Sequence, residues 1–163
     1  MEEDPGSGEW VGIMGFSQGA QVAASLLWAQ QKVAALPDYE VPLTSFKFGV
    51  IIAGPAPIVR LDMRVPSGTY IAEASDMGFE DWPESNEGDH ALSIPTLHIH
   101  GLQDPGLKYY RALINRYCGA GTARLIEWDG DHRLPTKTPD VEKVVTEMLE
   151  VAEAAGVRLA PKE

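Results

Sequence analysis

Gly15-Phe16-Ser17-Gln18-Gly19 follows the apolar run Trp10-Val11-Gly12-Ile13-Met14 and leads into a helix-like stretch from Ala20 to Gln31. A serine between two glycines suits a strained strand-to-helix turn. The glycines let strand and helix pass closely, and the hydroxyl is lifted clear of the backbone. The helix that follows aims its first N–H groups, and the positive end of its dipole, at negative charge developing beside that hydroxyl. The context marks Ser17 as a candidate nucleophile rather than an ordinary turn serine.

A serine alone is a poor nucleophile and needs a base, and the base needs an orienter. Asp104 stands in Gly101-Leu102-Gln103-Asp104-Pro105, just past the apolar run from Pro95 to His100. His132 stands in Asp129-Gly130-Asp131-His132, just past the strand candidate at 124–128. Parallel strands bring their carboxyl ends to one edge, where ligands bind in open sheets. Three candidates thus follow three strand candidates, in the chain order Ser, Asp, His. On this reading His132 takes the Ser17 proton and returns it to the leaving group, while Asp104 holds the ring and stabilises the imidazolium. Asp129 and Asp131 flank His132, but sequence neighbours rarely reach the far ring nitrogen. Asp76 and Asp81 have no strand before them. His98 and His100 alternate on one strand and share a face. With no third ligand at recognisable spacing they read as packed, hydrogen-bonded histidines and not as a metal pair. His90 reads as a loop residue. No cofactor is called for.

Strands are expected at 10–16, 46–53, 96–100 and 124–128, and helices at 18–36, 107–117 and 140–155. The first strand is apolar on both faces, and the first helix carries Val22, Leu26, Leu27 and Val33 at helical spacing. Pro37 ends that helix, and Thr138-Pro139-Asp140 starts the last, with Thr or Asp as the cap. Residues 58–94 keep no period, and a connector of that length is expected to be functional or disordered. Strands alternating with helices predict a mostly parallel sheet covered on both faces. The organisation expected is a flexible entry over 1–9, one catalytic domain over 10–156 and a tail over 157–163.

Composition narrows the function. One domain accommodates 163 residues, and 44% hydrophobic with 23% charged residues is ordinary for a globular chain. A net charge of −11 argues against nucleic acid and anionic membrane surfaces as partners. No apolar run approaches the ~20 residues that span a bilayer. The start Met1-Glu2-Glu3-Asp4-Pro5 is acidic where a secretory leader would be basic. Cys118 is the only cysteine and reads as structural, so a reducing, cytoplasmic compartment is expected.

Gly15-Phe-Ser-Gln-Gly-Ala20, Phe46-Lys-Phe48, Ile94-Pro-Thr-Leu-His-Ile-His-Gly101, Asp104 and Gly130-Asp-His-Arg-Leu-Pro135 together resemble the fungal serine hydrolase family of α/β-hydrolases. The likeness covers most of residues 10–150, and the histidine block ending in Pro135 is its more specific part. It implies an α/β-hydrolase fold, a triad of Ser17, Asp104 and His132, and an esterase or thioesterase that releases or trims polyketide products. An acyl carrier protein or polyketide synthase is an implied partner. Family members carry early strands and a His-Gly-type loop ahead of the elbow. That loop supplies one oxyanion N–H, and the residue after the nucleophile, here Gln18, supplies the other. The resemblance therefore implies the C-terminal portion of the fold, with a first strand short of a neighbour and open to self-association or to a complementary N-terminal segment.

Within the excursion at 58–94, Met63, Tyr70, Met77, Phe79 and Trp82 are candidates for an apolar lid or wall, and Met63, Phe79 and Trp82 join Phe16 as expected substrate contacts. Two other readings stand beside the esterase: a catalytically impaired assembly subunit, and a broad detoxifying carboxylesterase.

Overall fold

A computed structural model describes residues 8–38, 42–76 and 78–158. The rest, including most of the expected entry and tail and Met77, lie outside the described residues. Four strands, β1 (Gly12–Phe16), β2 (Phe48–Ile52), β3 (Thr96–Gly101) and β4 (Ala123–Trp128), form one parallel sheet in the order β1-β2-β3-β4. Helix α1 (Gln18–Ala34) links β1 to β2, α2 (Leu107–Ala112) leads towards β4, and α3 (Thr138–Ala154) follows β4.

The alternation of side chains along the strands splits the core in two. Ile51 faces a cluster with α1 that also holds Leu113 and Tyr117, while Phe48, Val50 and Ile52 join Leu97, Ile99, Ile126 and Val151 of α3 on the other side. Helices therefore cover both faces, the layering of an α/β domain. All five residues of β2 and all six of β3 are buried, as suits strands with a neighbour on each side.

β1 lies at one end of the sheet order. Among the described residues it pairs only with β2, and its burial is partial, with Trp10 74% and Met14 57% exposed. A strand apolar on both faces here sits at the sheet margin, because a second hydrogen-bonding neighbour is not among the described residues. The face of α1 differs from expectation. Ala20, Ala23, Ala24, Leu27, Trp28 and Val33 are buried, while Val22 is half exposed. Small alanines let the helix lie close on β1 and β2, so the buried stripe is not where the largest aliphatic side chains suggest.

Two helix ends differ as well. The segment expected as one helix over 107–117 changes at Leu113 into a π-helical stretch (Leu113–Tyr117) that seats Leu113 and Tyr117 in the core. α3 begins one residue after Lys137, which occupies the cap position without a side-chain cap bond, so neither Thr138 nor Asp140 is the cap.

Among the described residues of 58–94 there is no helix or strand, yet the segment is not an idle loop. Ile58, Val65, Ile71 and Leu92 are buried in the α1-side cluster. One side of α1 holds the segment by polar bonds: Gln21 Nε2 donates to the Pro57 carbonyl (2.9 Å), Ser25 Oγ accepts the Val59 N–H (2.9 Å), and Trp28 Nε1 donates to the Asp89 carbonyl (3.0 Å). His90, expected as a loop residue, is buried edge-on against Tyr70 and Tyr117, with Nε2 2.9 Å from the Ser85 carbonyl oxygen.

Candidate active site

The carboxyl ends of β1, β3 and β4 carry the three sequence candidates to one place. Ser17 follows Phe16 at the end of β1, with φ 56° and ψ −123°. A non-glycine residue with such a φ is held by its surroundings, and strain of this kind collects at functional sites. The Ser17 N–H donates to the Ile52 carbonyl (2.8 Å), and its own carbonyl accepts the N–H groups of Ala20 and Gln21, so both sides of the turn are anchored. Gly15 is required by contact: a Cβ there would lie 2.3 Å from Gly19 O and 2.6 Å from Ala20 Cα. Gly19 is not, since a Cβ there meets nothing within 4 Å. Only the first glycine lets strand and helix pass closely.

Ser17 Oγ stands 2.9 Å from His132 Nε2, and His132 Nδ1 stands 2.7 Å from Asp104 Oδ2. An ionised carboxylate beside Nδ1 keeps a proton on that nitrogen, which leaves Nε2 free to accept from the serine hydroxyl. Asp104 is 6% exposed, and burial by itself would raise its pKa. Hydrogen bonds from the Gly106 N–H (2.8 Å to Oδ1), from His132 and from Tyr110 outweigh burial and hold it below the ordinary carboxylate value. The rival acids are engaged elsewhere: Asp129 accepts from Gln103 Nε2, and Asp131 pairs with Arg133 at 2.8 Å.

Of the expected substrate contacts, the structure joins Phe16 to the three, its ring 5.0 Å from the His132 ring. Met63 is 79% exposed, and Trp82 is packed edge-on against Tyr109 with Arg116 over its ring. Phe79 is partly buried. The Gln18 N–H lies in the first turn of α1, where no intrahelical acceptor exists. Beside it opens a cavity of about 390 Å³ lined by Gln18, Gly19, Gln21, Val22, Val59 and Leu61 among others. A larger one of about 630 Å³, between Trp28, Lys32, Tyr70 and His90, touches none of the three candidates.

His98 and His100 are fully buried on the face towards α2. His98 Nε2 lies 3.1 Å from Thr96 Oγ1 and 3.4 Å from Cys118 Sγ, so that nitrogen is partnered. His98 Nδ1 and both nitrogens of His100 have no hydrogen-bond partner, which corrects the expectation of a fully bonded pair. Burial first, then the neighbouring histidine, lowers the His98 pKa to about 3, and burial lowers that of His100 to about 4. Among the described residues no three His, Cys, Asp or Glu side chains gather as metal ligands. None of their helices is long and apolar enough to cross a membrane.

Sequence reasoning missed Tyr110, which is buried on α2 with its Oη 3.1 Å from His132 Nδ1. Its helical spacing from Gly106 could have brought it into view, but its approach to His132 depends on where the loop after β4 lies.

A parallel sheet with helices on both faces, a strained serine after β1, and an acid and a histidine beyond later strands define an α/β-hydrolase. A crystal structure described as "Putative hydrolase from Agrobacterium vitis S4" shares the fold, with a TM-score of 0.52 and 21% identity over 86% of this chain and 60% of that one. Residues 3–144 match the family model described as Serine hydrolase (FSH1), and the chain belongs to that family. It is 43% identical to "Probable esterase tazC" of Aspergillus terreus and 40% identical to "Esterase pigG" of Monascus ruber. The alignments cover 98% and 96% of this chain but 62% and 61% of those relatives. The chain thus spans about three fifths of the length of the curated relatives it matches.

Proposed function

We propose that this chain carries the catalytic centre of a serine esterase or thioesterase, with Ser17 as nucleophile, His132 as base and acid, and Asp104 as orienter. The observation that carries this reading is the continuous line of contacts, 2.9 Å from Ser17 Oγ to His132 Nε2 and 2.7 Å from His132 Nδ1 to Asp104 Oδ2. Ser17 Oγ attacks the acyl carbonyl carbon while its proton passes to Nε2, and the carbonyl oxygen takes the electron pair. Collapse breaks the bond to the alcohol or thiol, which leaves with the proton from Nε2, and Ser17 is acylated. A water then gives a proton to Nε2 and attacks the acyl carbon, and the acid departs as Ser17 regains its proton. The Gln18 N–H donates to the oxyanion in both halves, a contribution of roughly 10²–10³ in rate for one such donor.

The cavity beside Gln18, walled by Val22, Val59 and Leu61, suits an apolar acyl group. Names of the relatives favour an ester as substrate, and release or trimming of a polyketide from a carrier protein or synthase is the finer form of the proposal. A cytoplasmic setting goes with the single, buried cysteine. Intact-mass labelling with a fluorophosphonate tests the reading. One adduct on the parent and none on Ser17→Ala is the expected result, and an adduct that persists in Ser17→Ala overturns it. Comparing an acyl thioester with the matching oxygen ester then separates a product-releasing thioesterase from a broad carboxylesterase.

The exposed apolar margin at Trp10 and Met14 favours a second reading, in which full activity needs another polypeptide strand along β1.

A further inference from the structure

Tyr110 brings another polar atom to the Asp104–His132 pair. Its side chain is 4% exposed, its Oη lies 3.1 Å from His132 Nδ1, and its ring stacks on the imidazole at 6.4 Å and 30°. Asp104 Oδ2 lies 2.7 Å from that same nitrogen. The turn before α2 is shaped around it. A Cβ on residue 106 would lie 2.3 Å from Oη and 2.6 Å from Cζ, so only glycine leaves room for the ring. The N–H of that glycine also donates to Asp104 Oδ1.

We infer that Tyr110 is a positioning residue: its hydroxyl donates to Asp104 and holds carboxylate and imidazole in register for proton transfer from Ser17. The inference rests on the triad reading above. Counting protons decides the direction of the bond. Nδ1 carries a proton and gives it to Asp104, so it cannot accept from the phenol, and the phenol proton goes to the carboxylate. Burial, and then the charge of Asp104, raise the Tyr110 pKa, so the hydroxyl stays protonated. Other charged or titratable groups nearby do not compete. His100, its ring 5.7 Å from Tyr110, is held neutral by burial; Glu127 pairs with Arg111, and Asp131 with Arg133. Asp104 is therefore the charge that His132 feels, and Tyr110 moderates it.

A hydrogen bond given to a carboxylate spreads its charge and weakens its hold on the imidazolium. Loss of that bond leaves carboxylate and imidazole looser. In Tyr110→Phe of the full chain, kcat on p-nitrophenyl acetate should fall ~3- to 30-fold with KM little changed, since one hydrogen bond to a charged group is lost. The acid limb of the pH–rate profile should move up by about half a pH unit, a change a volume-filling ring would not cause. The low-field NMR resonance of the His132 Nδ1–H, which reports its bond to Asp104, should shift in Tyr110→Phe, and it is readable in a chain that hydrolyses nothing. A resonance unmoved in Tyr110→Phe overturns the inference. Failure of the parent to take the fluorophosphonate overturns the triad reading instead, and the Nδ1–H resonance still decides Tyr110.

Discussion

Ser17 combines a hydroxyl in reach of His132 with a backbone conformation that few side chains adopt, φ 56° and ψ −123°. Conformational strain of this order costs about 1–3 kcal/mol, and glycine relieves much of it. Ser17→Gly should therefore abolish labelling yet melt higher than Ser17→Ala, a pair that thermal unfolding and mass spectrometry check together. Equal melting temperatures would mean the turn is unstrained. Asp104→Asn should keep the fold and lower kcat by a factor on the order of 10⁴, as when an amide in place of the orienting acid stabilises the wrong tautomer. Asp129→Asn and Asp131→Asn should leave it within a few-fold, because their partners are Gln103 and Arg133. A crippled Asp131→Asn beside a mild Asp104→Asn would reverse the assignment. At this scale the three candidate residues were legible from local pattern alone, since each follows an apolar strand. Tyr110 was not, because its partner lies 22 positions away in the loop after β4.

The elbow is an asymmetric element, and its two glycines should respond differently. Gly15→Ala places a methyl against backbone atoms of Gly19 and Ala20 that cannot swing aside. It should cost several kcal/mol, about the size of severe overpacking, or displace the turn and end labelling. Gly19→Ala meets open space inside a helix and should raise stability by up to about 1 kcal/mol. Urea unfolding of the two variants checks the difference, and equal losses would show that both glycines are sterically required. The pattern G-x-S-x-G makes the two look equivalent, and only the approach of β1 to α1 separates them. Helix α1 teaches the same lesson. Its period was readable, but its buried stripe is built on alanines because the helix lies close to the sheet. The break of α2 into a π-helical stretch at Leu113 likewise answers to the core positions of Leu113 and Tyr117 and not to local propensity.

For the molecule as a whole, the buried histidines set the response to acid. His98 and His100 have folded-state pKa values lowered to about 3 and about 4, against an ordinary value of about 6.5 in the unfolded chain. Between those values the unfolded state binds more protons, so stability is complete above pH ~6.5 and falls as pH drops towards 4, by up to about 1.4 kcal/mol per pH unit for each histidine. The urea midpoint should be lower at pH 5 than at pH 7.5, and His98→Leu should flatten that slope. Identical midpoints would mean the two histidines charge in place. The bare margin of β1 leads to the other prediction at this scale. With Trp10 and Met14 exposed along an edge that has no further strand among the described residues, the chain alone should self-associate, and light scattering should find species larger than the monomer. A monodisperse, fully active monomer would remove the second reading.

The sequence by itself determined the alternation of strands and helices, the parallel sheet with both faces covered, and the three residues with chemistry to offer. These follow from apolar period, glycine and proline placement and chain order, all of which act locally. Tertiary structure decided what depends on distant segments meeting: Gly15 and not Gly19 as the close contact, Tyr110 against the imidazole, and nitrogens without hydrogen-bond partners on two buried histidines. The reason is physical. A hydrogen bond or a steric contact between loops is set by where the strand ends lie in the sheet, and no local pattern records that distance.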